Sequence, residues 1–237
     1  MNVLPNSVTE FKDLGLIDYA AGWDHQTAVF KSILEIKKQN RDSPDPQVTP
    51  NYVFFCEHPP VFTLGNSGDE KNLLINKEAL SREGATYIHS NRGGDITFHG
   101  PGQLVVYPVL DLENFFTDIH KYMRSLEEAV IITLHEVGLT GGRIKGLTGV
   151  WIDYENPKRA RKICALGVKT SRWVTMHGLA LNVNTDLHFF DHIVPCGIAD
   201  KAVTSIEKET GRAHPLDELK AMMKKNLVNV FDMKSIV

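Results

Sequence analysis

A cysteine between proline and glycine is the residue of this sequence best suited to nucleophilic chemistry. Cys196 lies in the run IVPCGI, where Pro195 restricts the backbone before it and Gly197 frees the backbone after it. These neighbours place the thiol on a turn, although an inert buried thiol fits the sequence equally well. The other cysteines, Cys56 and Cys164, have apolar flanks that favour packing.

A lysine at the start of an apolar run is the second candidate. Lys162 begins KICALG, and a lysine in that position either extends to water or faces a pocket. In a pocket beside Cys196, its ammonium group would favour the nucleophilic thiolate and could exchange protons with the substrate. The two residues would then form a Cys/Lys acyl-transfer dyad. Spacing alone does not establish that they meet.

A glycine-rich segment, residues 92–111, precedes both candidates. It reads RGGDITFHGPGQLVVYPVLD, and its four glycines allow the backbone to turn sharply and to approach a ligand closely. Arg92, Asp95, His99 and Gln103 add polar groups. The apolar run that follows predicts a buried strand, and Pro108 predicts that this strand lies at a sheet edge or ends early. A glycine-rich turn beside a core strand remains the alternative to a ligand site.

Other familiar sites are not predicted. The glycine-rich segment contains neither GxxxxGK[ST] nor a GxGxxG before a helix, so an ATP-binding P-loop is not expected. The ten histidines show no HxH or HExxH spacing, and no metal site is expected. His58, His99 and His177 each stand at the end of an extended run, where they would either line a pocket or bond to backbone carbonyls.

Length and composition indicate a soluble globular protein that is large enough to bury a sizeable core. The 237 residues have 42% hydrophobic and 23% charged side chains and a net charge of −3, which argues against nucleic-acid binding. Three widely spaced cysteines favour a reducing cytoplasm over a disulfide framework. We expect no signal peptide, no membrane span and one domain over residues 1–237.

Hydrophobic periodicity predicts an α+β fold. Helical patterns follow Asp18, run from Ile119 to Gly138, and begin again at Pro215. Extended runs fill much of residues 52–109, and four more occupy residues 150–154, 162–169, 173–177 and 179–183. The first two of these four are separated by a turn sequence, ENPK, which predicts antiparallel pairing. We therefore expect a mixed, largely antiparallel sheet flanked by helices.

Six sequence blocks together resemble the octanoyltransferases of lipoate biosynthesis. They cover about residues 50–205 in matching order: EHPPVFTLG, RGGDITFHGPGQLV, GVW, KI with ALG, MHGLALN and PCGI. The run HFFDH at residues 188–192 lies outside these blocks. The resemblance implies a fold like that of lipoate and biotin protein ligases.

The resemblance also implies an activity and assigns roles to residues. It implies an acyltransferase that moves an octanoyl group from acyl carrier protein to a lysine of a lipoyl domain. Cys196 matches the nucleophile that carries the acyl group as a thioester, and Lys162 matches the lysine that assists it. The matching substrate-binding residues are Arg92, Gly93, Gly94, Asp95, Ile96, Thr97, Phe98, His99, Ala165, Leu166, Gly167, Gly178, Leu179 and Ala180.

The implied chemistry needs no cofactor, because exchange of one thioester for another is nearly balanced and requires no ATP. Backbone N–H groups of Gly93, Gly94 and Gly167 are candidate oxyanion donors. The implied partners are octanoyl-acyl carrier protein as donor, and lipoyl domains of 2-oxoacid dehydrogenases and the glycine-cleavage H protein as acceptors. We expect no nucleic-acid and no membrane partner.

Two questions stay open at this level. A basic segment, Lys158, Arg159, Arg161 and Arg172, would either dock the acidic carrier protein or form a solvated hairpin. The alternative functions are an ATP-dependent lipoate or biotin protein ligase and a non-catalytic protein that binds lipoyl domains. The discriminating feature is a reactive Cys196.

Overall fold

The computed structural model describes residues 5–194 and 202–236 and shows a mixed α+β fold. Its α-helices are α1 (Tyr19–Gln39), α2 (Lys77–Arg82), α3 (Ile119–Glu136), α4 (Ile206–Thr210) and α5 (Leu216–Phe231). Short 3₁₀ helices occupy Glu70–Asn72, Leu112–Asn114 and Leu187–His192. None of the helices in the described ranges is long and apolar enough to cross a bilayer.

The strands of the described residues form two sheets. They are β1 (Val8–Leu16), β2 (Asn51–Glu57), β3 (Val61–Leu64), β4 (Thr86–His89), β5 (Ile96–His99), β6 (Gln103–Val109), β7 (Gly141–Gly142), β8 (Val150–Ile152), β9 (Arg161–Ser171), β10 (Val174–Asn182), β11 (Ala202–Val203) and β12 (Lys234–Ile236). The large sheet runs β12-β1-β2-β6-β10-β9-β8-β7, with β11 added to β9, and the small sheet runs β4-β3-β5.

Strand directions confirm the prediction of a mixed, largely antiparallel sheet. The strands β12, β1 and β2 pair in parallel, and so do β11 with β9 and β3 with β4. The pairs along β2-β6-β10-β9-β8-β7 and between β3 and β5 are antiparallel. The predicted antiparallel pairing of the strands on either side of ENPK is therefore confirmed.

The helices begin where short polar side chains cap them. Asp18 accepts hydrogen bonds from the backbone N–H groups of Ala20 and Ala21, and Asp118 accepts one from Lys121. Such caps satisfy N–H groups that have no partner inside the helix. Both starts agree with the helices predicted from sequence.

The large sheet is covered on both faces. Helices α3 and α5 bury Leu126, Leu134 and Leu227 in a core that also contains the sheet residues Leu104 and Ile163. On the other face, α1 packs Phe30 and Ile33 against strands β2, β6 and β10. A third apolar cluster joins the small sheet to the 3₁₀ helix Leu187–His192. The two sheets and this helix enclose the space in which the candidate site lies.

Of the two alternatives predicted from Pro108, the sheet edge is wrong, whereas the early end is confirmed because β6 ends at Val109, one residue later. Its strand β6 lies inside the large sheet between β2 and β10. Pro108 is tolerated because the β6–β10 pairing extends only to Val106, while Pro108 itself lies opposite Val53 of β2. Gly178 completes this arrangement, since a Cβ there would stand 2.2 Å from the Val106 oxygen and 2.6 Å from Cδ of Pro108.

The two extended runs predicted at residues 173–177 and 179–183 are one strand, β10. It pairs with β9 without interruption from Val174 to Leu181. Sequence reading divided the strand at Gly178, where its pairing with β6 begins one residue later. His177, just before this glycine, has φ of 59°, a value that a residue with a side chain seldom adopts.

Candidate active site

One cavity of about 610 Å³ lies between the glycine-rich loop, strands β9 and β10, and the segment before β8. Its size falls in the range typical of small-molecule sites. Of the residues matched by the resemblance, Lys162 and all the substrate-binding candidates except Phe98 line it. Phe98 is buried in the adjacent cluster, where its ring stacks on Phe189 at 4.5 Å between centroids.

The glycine-rich loop crosses β9 at short range. Gly93 N–H donates to the oxygen of Val168 at 2.9 Å. A Cβ on Gly167 would stand 2.7 Å from the Gly93 oxygen, so only glycine fits beneath the loop. Gly93 is therefore not a free oxyanion donor as predicted, because its N–H is already used to hold the loop on the strand.

Arg92 and Asp95 build the rim of the cavity. The buried Arg92 guanidinium donates to the oxygen and the hydroxyl of Thr63 and to the Gly93 oxygen. Asp95 accepts from Asn72 Nδ2 at 2.6 Å and from the backbone of Asp69. These bonds fasten residues 65–72 against the loop, and Ser67 of that segment lines the cavity.

A chain of side-chain hydrogen bonds leads from His99 to Thr204, close to the start of the second described range. His99 Nδ1 bonds Gln103 Oε1 at 2.8 Å, and Gln103 Nε2 donates to Asn182 Oδ1 at 2.9 Å. Asn182 Nδ2 then donates to the Thr204 oxygen at 3.0 Å. Burial, with the neighbouring charges of His58 and Arg92, lowers the pKa of His99 well below its usual value. His99 is thus a neutral, fixed wall residue.

His177 lines the cavity and has one ring nitrogen without a hydrogen-bond partner among the described residues. Its backbone N–H donates to Gln26 Oε1, and its Nε2 bonds Asn91 Oδ1 at 2.7 Å. Nδ1 is buried and has no hydrogen-bond partner among the described residues. Burial, reinforced by the positive charges of Arg92 and Lys169, lowers the pKa of His177 to about 3. The ring is therefore neutral, and the bond from Nε2 to Asn91 Oδ1 leaves Nδ1 as an acceptor without a partner in the part of the chain that the structure describes.

His58, the third histidine predicted at a pocket, does not line the cavity. It is buried behind the wall, where Nδ1 bonds the Ile17 oxygen and Nε2 bonds the Tyr107 hydroxyl, both at 2.7 Å. Burial lowers the pKa of His58. The alternative reading, a histidine satisfied by a backbone carbonyl, is correct here, and His58 acts by positioning Tyr107, which does line the cavity.

Lys162 lies in a slot made by Gly149 and Trp151. Its Nζ is 4.7 Å from the centre of a Trp151 ring, within reach of a cation–π contact. A Cβ on Gly149 would stand 3.3 Å from Lys162 Cε, and Gly149 has φ of 120°, which requires glycine. Lys162 therefore faces the pocket rather than extending to bulk water.

The buried carboxylate of Glu127, which was not predicted from the sequence, holds the Gly149 side of this slot in place. Glu127 of α3 accepts from Gly149 N–H at 3.0 Å, and its other oxygen bonds Arg124 and Arg143. Its side chain is fully buried. The helical pattern marked only the apolar face of α3, and nothing in the spacing pointed to a loop more than 20 residues away.

Replacing Glu127 with Gln should destabilise the protein measurably. Glutamine can still accept from Gly149, but it loses the charge that pairs with Arg124 and Arg143, so we expect the free energy of unfolding to fall by about 1.5–3 kcal/mol. Urea unfolding checks this. The matched control is Glu128→Gln, which breaks one partly exposed pair to Arg143 and should cost less than about 1 kcal/mol. Equal losses in both variants would contradict the assignment.

Neutral buried histidines make stability depend on pH. Because the pKa values of His58, His99 and His177 are lowered by folding, the unfolded chain binds more protons below about pH 6.5, and stability falls as the solution is acidified. Each such histidine contributes a slope of up to about 1.4 kcal/mol per pH unit.

The variant His177→Asn should reduce this slope by up to about 1.4 kcal/mol per pH unit, the contribution of one bound proton. Asparagine tolerates the positive φ at this position and does not titrate. The measurement is urea unfolding between about pH 7.5 and pH 5. The control is His120→Asn on the exposed surface of α3, which should leave the slope unchanged. An identical slope for His177→Asn and the native chain would show that His177 is not neutral in the fold.

The two described cysteines are core residues, as predicted. Cys56 and Cys164 are both buried and free. Burial raises the pKa of each thiol, which keeps it protonated and unreactive. Cys196 lies outside the described residues, between Val194, whose N–H donates to the Asn72 oxygen, and β11, which pairs with Lys162.

The basic segment is largely engaged within the chain. Arg161 bonds both Asp153 and Glu209, and Arg159 pairs with Asp153 at 3.2 Å. Arg161, the first residue of β9, therefore holds the β8–β9 hairpin and α4 together, and Arg159 adds a bond within the hairpin. Lys158 is exposed, and the docking role of the segment stays a prediction.

Several lining residues were not singled out from the sequence. They include Tyr19, Tyr107, Met123, Leu147, Asn182, Phe190 and Val203. They come from many separate parts of the chain, and a site assembled in this way leaves no local spacing signal. Trp151 belongs to the GVW block, to which the resemblance gave no function, and its ring contacts Lys162.

The chain matches known proteins along most of its length. Residues 18–228 match the family model of the lipoyl protein ligase A/B catalytic domain. An octanoyltransferase of Cytophaga hutchinsonii is 58% identical over 224 residues, covering 94% of this chain and 92% of its own length. An octanoyltransferase of Flavobacterium psychrophilum is 56% identical over 228 residues, covering 96% and 98%.

Solved structures show the same fold at low identity. A lipoate-protein ligase A bound with ATP aligns with a TM-score of 0.65 and 15% identity, over 98% of this chain and 90% of that one. A bipartite lipoate protein ligase of Thermoplasma acidophilum, studied with its E2 lipoyl domain, aligns with a TM-score of 0.63 and 16% identity, over 99% and 88%. The predicted fold class is thereby confirmed.

Proposed function

The chain belongs to the octanoyltransferases of the lipoyl protein ligase A/B catalytic-domain family, and on that premise we propose that it carries the octanoyl group on Cys196. It is an acyltransferase of lipoate biosynthesis. In the proposed reaction the donor is octanoyl-acyl carrier protein and the acceptor is a lysine of a lipoyl domain. The main observation behind this proposal is that Lys162 and the glycine-rich loop line the same cavity.

Both ends of the undescribed segment 195–201 support Cys196 as the nucleophile. On one side, Phe190 lines the cavity and Val194 is bonded to Asn72; on the other, Val203 lines the cavity beside Lys162. With Cys56 and Cys164 buried and protonated, Cys196 is the remaining thiol of the three.

The reaction proceeds by two acyl transfers. In the first, the Cys196 thiolate attacks the carbonyl carbon of the donor thioester, and the tetrahedral intermediate collapses with release of the carrier thiol. In the second, the acceptor lysine amine attacks the Cys196 thioester and forms an amide, and the cysteine thiolate leaves. Lys162 gives a proton to the departing carrier thiolate and accepts the proton that the attacking amine loses.

The cavity has the composition that an octanoyl chain requires. Apolar side chains from several elements face it: Ile96, Val105, Met123, Leu147, Leu166, Leu179 and Phe190. Burying methylene groups contributes about 0.8 kcal/mol each, or about 5 kcal/mol for an eight-carbon chain. His177 and Trp151 line the same cavity, and His177 Nδ1 and Trp151 Nε1 are buried without a partner among the described residues.

A transfer assay without ATP distinguishes this proposal from an ATP-dependent ligase. The protein is incubated with an apo lipoyl domain and either octanoyl-acyl carrier protein alone or octanoate with ATP and magnesium. We expect octanoylation of the lipoyl domain from the thioester alone and none from the free acid. Modification that requires ATP and free octanoate would instead assign the ligase reaction.

A further inference from the structure

We propose that Glu83, His188 and His192 form a binding site for a divalent zinc ion. One ligand atom from each residue lies within 4.8 Å of the others. The site stands outside the residues that line the acyl cavity and joins the end of α2 to the 3₁₀ helix Leu187–His192. It is independent of the proposed transferase mechanism.

The backbone around these ligands is fixed by neighbouring strands and turns. Leu74 N–H donates to the His192 oxygen at 2.8 Å, and Leu73 bridges Ile193. The rings of His188 and His192, four residues apart, stand edge to face with centroids 5.0 Å apart. Glu83 caps the C-terminus of α2 and reaches this pair from another element. A site of this kind is preformed except for small side-chain rotations.

A second observation points to a missing ligand. Nε2 of His192 is buried and has no hydrogen-bond partner among the described residues, although a buried polar atom normally has one. A metal ion would satisfy it. Asp191 stands beside this group, with a carboxylate oxygen 3.7 Å from His188 Nδ1.

The ligand chemistry selects zinc over the common hard cations. Two imidazoles and a carboxylate suit a borderline-soft ion, whereas magnesium and calcium take oxygen ligands. Tetrahedral zinc with bonds of about 2.0–2.2 Å needs its ligand atoms roughly 3.3 Å apart. Because the three atoms lie within 4.8 Å of one another, the exposed His188 and Glu83 side chains must close by up to about 1.5 Å.

Metal binding here would fasten one wall of the acyl cavity. The same 3₁₀ helix carries Phe189, stacked on Phe98, and Phe190, which lines the cavity. Joining this helix to α2 restricts the position of Phe190. The expected consequence is a local gain in rigidity on either side of the ion.

Titration of the chelator-treated protein with zinc sulfate tests the site. Calorimetry should show one zinc per chain, both for the native chain and for Cys196→Ala, which removes a competing thiol. Binding should weaken at least about tenfold in His188→Ala, His192→Ala and Glu83→Gln. The control His120→Ala, an exposed histidine on α3, should bind as the native chain does.

Hydrogen exchange locates the ion without a mutation. Zinc should slow exchange in the peptides that contain residues 77–89 and 187–194 and leave other peptides unchanged. The absence of saturable binding would overturn the proposal, as would undiminished binding in His188→Ala and His192→Ala. Binding lost only in Cys196→Ala, or protection confined to other segments, would place the ion elsewhere and overturn it as well.

Discussion

Transfer of octanoate by the Cys196→Ala protein should fall at least about 10³-fold below the native rate, because the acyl group then has no thiol to carry it. The measurement is the steady-state rate of lipoyl-domain octanoylation from octanoyl-acyl carrier protein. Cys196→Ser should retain a small activity, since a hydroxyl is a weaker nucleophile than a thiolate.

The matched control for this loss is Cys56→Ala. Cys56 is a buried core residue whose Sγ lies 3.6 Å from His58 Nε2, outside the lining of the cavity. We expect this variant to lose some stability and to keep its transfer rate. Transfer by Cys196→Ala within tenfold of the native rate would exclude a covalent intermediate on this residue.

The variant Lys162→Met should slow acylation by about 10²–10⁴-fold, the range typical of losing a positioned acid–base group. Methionine keeps much of the side-chain length in the slot beside Trp151 and Gly149 but carries no proton. Single-turnover acylation by octanoyl-acyl carrier protein measures the effect, and the pH dependence of that rate should change because the group that moves the proton is gone.

An exposed lysine outside the basic segment provides the control. Lys208 lies in α4, away from the cavity lining, and the variant Lys208→Met should acylate at the native rate. Circular dichroism should show both variants folded. A native acylation rate in Lys162→Met would remove this lysine from the mechanism and leave Cys196 with another proton carrier.

Local patterns predicted the elements of this fold well where periodicity and caps agree. The start of α1 at Asp18, the amphipathic α3 and the antiparallel pair β8 and β9 all follow from nearest-neighbour chemistry. The sheet edge predicted from Pro108 was wrong because a proline inside the sheet is tolerated only through Gly178 of another strand and the early end of the β6–β10 pairing. Such information is not present in the local sequence.

The residues of the candidate site likewise divide into those that the sequence predicted and those that only the fold reveals. Blocks of sequence that resemble a family identified Lys162, the glycine-rich loop and the strand residues that line the cavity. Glu127, which holds the Gly149 loop from the middle of a helix, had no local signal. Gly93 was assigned as an oxyanion donor because glycine exposes its backbone, and only the fold reveals that Val168 takes its N–H.

The most direct test of the covalent mechanism is the intact mass of the protein after brief incubation with octanoyl-acyl carrier protein, without ATP and without an acceptor. The account predicts an added mass of one octanoyl group that hydroxylamine removes, that transfers to an apo lipoyl domain when this is added, and that is absent from Cys196→Ala. A native protein that turns over without any such adduct, or an adduct that persists in Cys196→Ala, would contradict it.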